Sequence, residues 1–296
     1  MKLYAPAYYK NFKCIADRCR HSCCIGWEID IDTDTLKKYN ELKCDYAADI
    51  ADSISMDDTP HFKLCEHDRC PHLDERGLCK IILNVGEDYL CGICREHPRF
   101  YNYTSVAEVG LGMSCEEAAR LILNSPEYSE MIEVGEVDAN DDNVEFNGRA
   151  QRGRIYEILR DRNLSYSSRL DRIYSDYSID IKEDSVWLEL IDSLEYLDGD
   201  HKELFMSYSS RLCPRGTDEY QERFLAYFIY RHCTEAVNVE DFSNRLAFCL
   251  FCERLFASLI CIEHPKVLDD FASLARIISE EIEYSEDNTC KLMYLE

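Results

Sequence analysis

The chain has 296 residues, 46% of them hydrophobic and 31% charged, and it carries a net charge of −25. A field of that sign repels phosphate backbones and argues against a nucleic-acid partner, while it attracts cationic groups such as lysines on another protein. No run approaches the ~18 uninterrupted apolar residues that a membrane helix needs; the longest, residues 246–262, is broken by Cys252-Glu253-Arg254.

The start, Met1-Lys-Leu-Tyr-Ala-Pro-Ala-Tyr-Tyr-Lys-Asn-Phe-Lys13, lacks the apolar h-region of a secretory signal. With an odd total of seventeen cysteines, it leads to the expectation of a cytoplasmic protein with reduced thiols. Eleven of those cysteines lie in the first 115 residues. The densest stretch runs Cys14-Ile-Ala-Asp-Arg-Cys19-Arg-His-Ser-Cys23-Cys24-Ile-Gly-Trp27, followed by Cys70-Pro-His-Leu-Asp-Glu-Arg-Gly-Leu-Cys79 and Cys91-Gly-Ile-Cys94. Bunched thiols beside arginine, histidine and turn residues point to a metal or cluster, because nearby cations lower thiol pKa values. A single structural zinc held by four of these cysteines is the competing reading. Neighbours in sequence tend to point apart, so Cys23 and Cys24 could serve different sites, or one could ligate while the other packs.

Between the cysteine blocks, Trp27-Glu-Ile-Asp-Ile-Asp32 alternates as a short strand or extended run does. Asp34 then leads into a short helix through Leu36-Lys-Lys-Tyr39. Ser114-Cys-Glu-Glu117 resembles a capping box, which would put Cys115 in the first turn of a helix. Residues 127–147, with Glu127, Glu130, Glu133, Glu136, Asp138, Asp141, Asp142 and Glu145 and no lysine or arginine, read as an acidic linker or loop.

Beyond about residue 150 the pattern is helical. Trp187, Leu190, Ile191 and Leu194 form one apolar face, as do Leu268, Phe271, Ala275, Ile278 and Ile282. Segments 224–233 and 246–256 read as buried helices, so Cys249 and Cys252 are assigned to core packing despite their spacing. Cys213, Cys233, Cys261 and Cys290 receive the same assignment as isolated residues. The expected fold is mainly α: an irregular cysteine-rich metal-binding domain over residues 1–125, an acidic linker over 126–150 and an α-helical domain over 151–296. Walker, HExxH, GxSxG and C-x3-C-x2-C sequences are absent, and Val109-Gly-Leu-Gly-Met113 lacks the third glycine and the following unit of a dinucleotide turn.

Three ordered blocks resemble the flagellin lysine-N-methylase family, itself related to a cysteine-cluster family thought to chelate zinc or iron. The first is Cys14-x4-Cys19-x3-Cys23-Cys24-x-Gly-Trp27 followed by Ile29-Asp-Ile-Asp. The second is Cys70-Pro-His-Leu-x4-Leu-Cys79, running on to Gly86-Glu-Asp-Tyr-Leu90 and Cys94-Arg-x-x-Pro98-Arg99. The third is Met113-Ser-Cys115-Glu-Glu-Ala-Ala-Arg-Leu. The resemblance implies an enzyme that carries an iron–sulfur cluster and transfers methyl from S-adenosylmethionine to lysines of flagellin or a similar protein. Its implied ligand set is Cys14, Cys19, Cys23, Cys24, Cys70, Cys79, Cys94 and Cys115, with Cys91 left outside it. A 4Fe-4S cluster is the expected cofactor and zinc the alternative. Eight thiols exceed one four-coordinate site, so either two sites exist or some thiols pack or react.

Arg95 and Arg99 could balance cluster charge or bind a carboxylate, such as that of the methyl donor. Glu28, Asp30, Asp32 and Tyr89 could take a proton from the acceptor lysine, although a solvated strand face and a packed aromatic explain them better. His21, His61, His67, His72 and His97 stand near cysteines and could ligate. A non-enzymatic zinc-binding adaptor and an iron–sulfur redox accessory protein are the rival functions.

Overall fold

A computed structural model describes residues 1–138 and 146–295. In chain order its elements are β1 (Lys2–Pro6), α1 (Thr33–Glu41), α2 (Ala47–Ser53), β2 (Ile54–Ser55), β3 (His61–Phe62), α3 (Lys80–Val85) and α4 (Gly92–Glu96). There follow β4 (Arg99–Tyr103), β5 (Ala107–Leu111), α5 (Glu116–Leu123), β6 (Met131–Glu136), α6 (Gly148–Leu159) and α7 (Tyr166–Asp176). The last are α8 (Asp184–Ser193), α9 (Gly199–Met206), α10 (Asp218–His232), α11 (Val239–Glu263), α12 (Leu268–Glu283) and α13 (Glu286–Tyr294). Mainly α is therefore the class, and among the described residues no helix is long and apolar enough to cross a membrane.

The chain divides into two compact units, Lys13–Pro98 on one hand and Met1–Phe12 with Arg99–Glu296 on the other. These boundaries differ from the expected ones at 125 and 150. The physical reason lies in strand pairing: β1 runs parallel to β5, with Leu3 opposite Ala107, and antiparallel to β6. A four-stranded sheet ordered β4-β5-β1-β6 thus joins the extreme N-terminus to segments that composition assigned to the cysteine domain and the linker. Met131–Glu136 is a strand because its backbone completes the edge beside β1, where acidic side chains stay solvated. Asp141, Asp142 and Glu145 lie outside the described residues.

In the larger unit β5 is buried along its whole length. It carries Glu108, which is fully buried and receives a bidentate pair from Arg152 at 2.6 and 2.8 Å, with Arg149 at 3.1 Å. The helical core is aromatic: Phe224 of α10 stacks on Phe256 of α11 with ring centroids 4.4 Å apart. Trp187 and Ile191 of α8, and Phe271, Ala275, Ile278 and Ile282 of α12, are buried at the expected helical spacing. Cys249 and Cys252 are fully buried in α11. Two cysteines given to the core are not there: Cys213 and Cys290 are exposed, on a loop and on the solvent side of α13. Cys233 is buried but not isolated, with its sulfur 3.8 Å from that of Cys249.

Ser114 does not cap α5. Cys115 occupies the N-cap position, and no side chain closes the cap there. Gly110, in the 109–113 segment, has a packing cause. A Cβ at Gly110 would lie 2.3 Å from the Phe100 ring and 2.7 Å from the Tyr230 ring. Gly110→Ala should therefore cost about 1–3 kcal/mol through overpacking, read as a lowered urea midpoint; an unchanged midpoint would mean that the two rings part freely.

Candidate functional site

Five thiols share the core of the Lys13–Pro98 unit. Cys70 and Cys91 are buried with Ile29, Ile31, Tyr39, Ile50, Phe62, Leu73 and Ile81, and Cys24, Cys79 and Cys94 pack against that group. Three local devices bring them there. The first pairs two strands of loop: the Cys70 N–H donates to the Cys24 carbonyl at 2.9 Å, and Ile25 bridges Arg69. Gly26 makes the turn that follows with φ +94°, a conformation that side-chain-bearing residues disfavour.

The second device is a tight hairpin between Cys70 and Cys79. Leu73 bridges Cys79, and the Asp74 carboxylate accepts from the amides of Arg76 at 2.9 Å and Leu78 at 2.8 Å. Gly77 takes φ +79°, as a three-residue hairpin loop requires. Cys79 is thereby returned to the side of Cys70.

The third device fixes Cys91 and Cys94. Asp32 caps α1 by accepting from the Thr35 amide at 2.9 Å, and its other oxygen accepts from the Gly92 amide at 2.7 Å. Burial pushes its pKa up, but these hydrogen bonds prevail and hold it at about 2. The Tyr39 hydroxyl donates to the Tyr89 carbonyl at 2.7 Å and stands 3.5 Å from the Cys91 sulfur. One carboxylate and one phenol thus anchor the Cys91–Cys94 segment to α1.

The thiols perturb one another. Burial pushes Cys70 up to about 12 and raises Cys79, with neighbouring thiols adding to both. Cys91 and Cys94 share a hydrogen bond that lowers the first and raises the second. Cys24 is lowered to about 7, chiefly by its hydrogen bond with Cys23, against burial, with help from Ser22 and Arg69. Ionising all five together is opposed by burial and mutual repulsion. A bound cation would reverse that sign.

Of the eight expected ligands, Cys24, Cys70, Cys79 and Cys94 join this group. Cys14 and Cys23 are exposed, and the Cys19 thiol donates to the His21 carbonyl at 3.0 Å. Cys115 belongs to the larger unit, where it packs against the helical core. Cys91, left out by the resemblance, is 1% exposed and central; its C-x2-C spacing to Cys94 was the available signal. All seventeen cysteines are free thiols.

The polar candidates separate similarly. His72 has both ring nitrogens engaged, by Tyr46 at 2.7 Å and Ser53 at 2.9 Å, and burial lowers its pKa to about 4. It is a satisfied core histidine. His61 meets the Thr59 carbonyl at 2.8 Å and Glu28 at 3.3 Å. Asp32 caps a helix, and Glu28 and Asp30 point outward while Ile29 and Ile31 point in. Arg95 lies on α4 between the thiol segment and Glu96, at 3.7 Å from the latter carboxylate. Arg99 begins β4 in the larger unit and donates to the Tyr9 hydroxyl at 2.9 Å. Among the described residues, the one trio of histidine, cysteine or carboxylate groups whose ligand atoms all lie within 4.8 Å is His201, Glu280 and Glu281, in the larger unit, and it contains no cysteine.

A buried thiol group in one unit and a helical body with a small mixed sheet in the other define a mainly α, cysteine-centred protein. Comparison with curated proteins places it further. The chain is 32% identical over 136 residues to a lysine-N-methylase of Salmonella choleraesuis, covering 43% of this chain and 34% of that protein. The Salmonella typhimurium lysine-N-methylase matches to the same extent. The flagellar biosynthetic protein FliU of Salmonella muenchen is 33% identical over 130 residues, which cover 41% of this chain and 77% of FliU. The chain belongs to the flagellin lysine-N-methylase family. The match spans about a third of the length of the two curated lysine-N-methylases. No family model and no solved structure matches.

Asp32→Ala should loosen the thiol segment. Loss of the cap should cost about 1 kcal/mol in chemical denaturation, and a thiol reagent should modify Cys91 and Cys94 faster in the folded protein. Unchanged labelling rates would show that Asp32 does not hold that segment.

Proposed function

We propose that this chain is an iron–sulfur protein that transfers methyl groups from S-adenosylmethionine to lysine side chains of flagellin or a similar protein. Support comes from relatives named lysine-N-methylase and from a relative named for flagellar biosynthesis. The observation that carries the cofactor reading is the gathering of Cys24, Cys70, Cys79, Cys91 and Cys94 in one core.

The donor set fits in kind. It consists of soft thiolates, the preferred ligands of iron–sulfur clusters and of zinc. The buried His72 has no nitrogen to spare. Three of the five gathered thiols would hold a cluster with one iron left open to the amino-acid end of the donor, whereas four would coordinate it fully and make it structural or electron-transferring. The family pattern adds Cys14, Cys19, Cys23 and Cys115 as further candidates, enough for a second site or for exchange of one ligand. Arg95, one residue beyond Cys94, would bind the donor carboxylate or balance thiolate charge. Thiolates would replace buried neutral thiols on loading, so assembly should release protons.

The test is anaerobic purification of the full chain, followed by iron, sulfide and zinc assays and by methyl transfer from labelled donor to flagellin. Iron and sulfide in a brown protein with methyl transfer are expected. Alanine at Cys70, Cys79, Cys91 or Cys94 should remove the metal and the activity, while Cys249→Ala should keep both. Colourless protein with stoichiometric zinc and no transfer would overturn the proposal in favour of a structural zinc protein.

A further inference from the structure

Several buried carboxylates of the larger unit pair with basic side chains. Glu108 meets Arg152, Glu222 meets Arg169 and Arg162, and Glu281 meets His201 at 2.5 Å. Glu253 of α11 is 2% exposed and accepts one hydrogen bond, from the Tyr166 hydroxyl at 3.1 Å. The neighbouring Arg254 is committed elsewhere: it hydrogen-bonds Tyr174 and faces Asp184. Burial leaves the Glu253 carboxyl raised to about 7, against the weaker pulls of Tyr166 and Arg254.

Glu253 lines a cavity of about 400 Å³ between α7, the loop before α10, and α11. Leu170, Ile181, Leu212 and Ala257 give it apolar walls, and Asp171 and Asp218 add exposed carboxylates to its lining. Three acids against one arginine make the cavity cation-seeking. Apolar walls with an uncompensated carboxylate match the two halves of a lysine side chain, a four-carbon stem and a terminal ammonium.

We propose that this cavity is a binding pocket for a lysine side chain of a partner protein, with the ammonium group at Glu253. Only the choice of lysine among aliphatic amines rests on the methyl-transfer reading; the preference for an aliphatic ammonium rests on the lining. Glu253 accepts the ammonium hydrogen bonds beside the Tyr166 hydroxyl, and the apolar walls take the stem. The carboxylate is a cost to the empty fold. A carboxyl whose folded pKa is raised contributes fully below its unfolded value near 4.5 and loses that contribution as pH rises through about 7. Removing its charge should therefore stabilise the protein at pH 8 while weakening the pocket.

The experiment titrates the full chain at pH 8 with Nα-acetyl-lysine methylamide and with the norleucine analogue, which keeps the stem and lacks the ammonium. Binding is followed by calorimetry or ligand-detected NMR. The lysine compound should bind at least about tenfold tighter. Glu253→Gln should erase that preference with an equal or higher melting temperature, and Leu212→Trp, at the half-buried wall, should weaken binding by filling the cavity. Equal binding of the two amides, an undiminished preference in folded Glu253→Gln, or undiminished binding in folded Leu212→Trp would overturn the pocket. A protein without iron or methyl transfer that keeps the preference supports the pocket and sinks only the catalytic reading. An active enzyme without the preference does the reverse.

Discussion

Burying several thiols in one small core is the constraint on which the Lys13–Pro98 unit depends. Its helices span only five to nine residues, and its one ladder pairs two-residue strands. Helices of that length do not persist alone in water. Long-range ties must hold the loops instead: Asp32 to Gly92, Tyr39 to Tyr89, and the Cys24 carbonyl to the Cys70 amide. Every one of these ties ends within two residues of a gathered cysteine. Metal–thiolate bonds at the same point would add the cross-links that small units of this kind commonly need.

The larger unit solves a different problem. It buries acidic residues deep in a helical body and offsets them pairwise, as with Glu108 and Arg152. The cost of removing both charges from water offsets most of the attraction within such pairs. Against that background Glu253 is an exception, a carboxyl without a cationic partner beside an open cavity. Departures from local consistency of this sort tend to mark binding sites.

Much of this was legible in the sequence, and for different reasons. Helical periodicity identified α8 and α12, because burial on one face repeats with the helix turn. Alternation over Trp27–Asp32 marked Ile29 and Ile31 as inward, although their extended segment makes only an isolated bridge from Asp30 to His61. The sheet was hidden, since pairing Leu3 with Ala107 is set by long-range geometry that no local pattern records. Met131–Glu136 looked like linker for the same reason: an edge strand can be acidic and still pair. Within the cysteine group, the family resemblance pointed to Cys24, Cys70, Cys79 and Cys94. It passed over Cys91, whose place is fixed by Tyr39 and Asp32 from fifty or more residues away. Nor could composition distinguish His72, a core residue bonded through both nitrogens, from a ligand.

X-ray absorption at the iron and zinc edges of the anaerobically isolated full chain tests the central claim most directly. Iron in an all-sulfur shell with neighbouring irons, lost on replacing Cys91 or Cys94, is the expected result. Zinc alone, or iron bound by nitrogen and oxygen and indifferent to those cysteines, would contradict it.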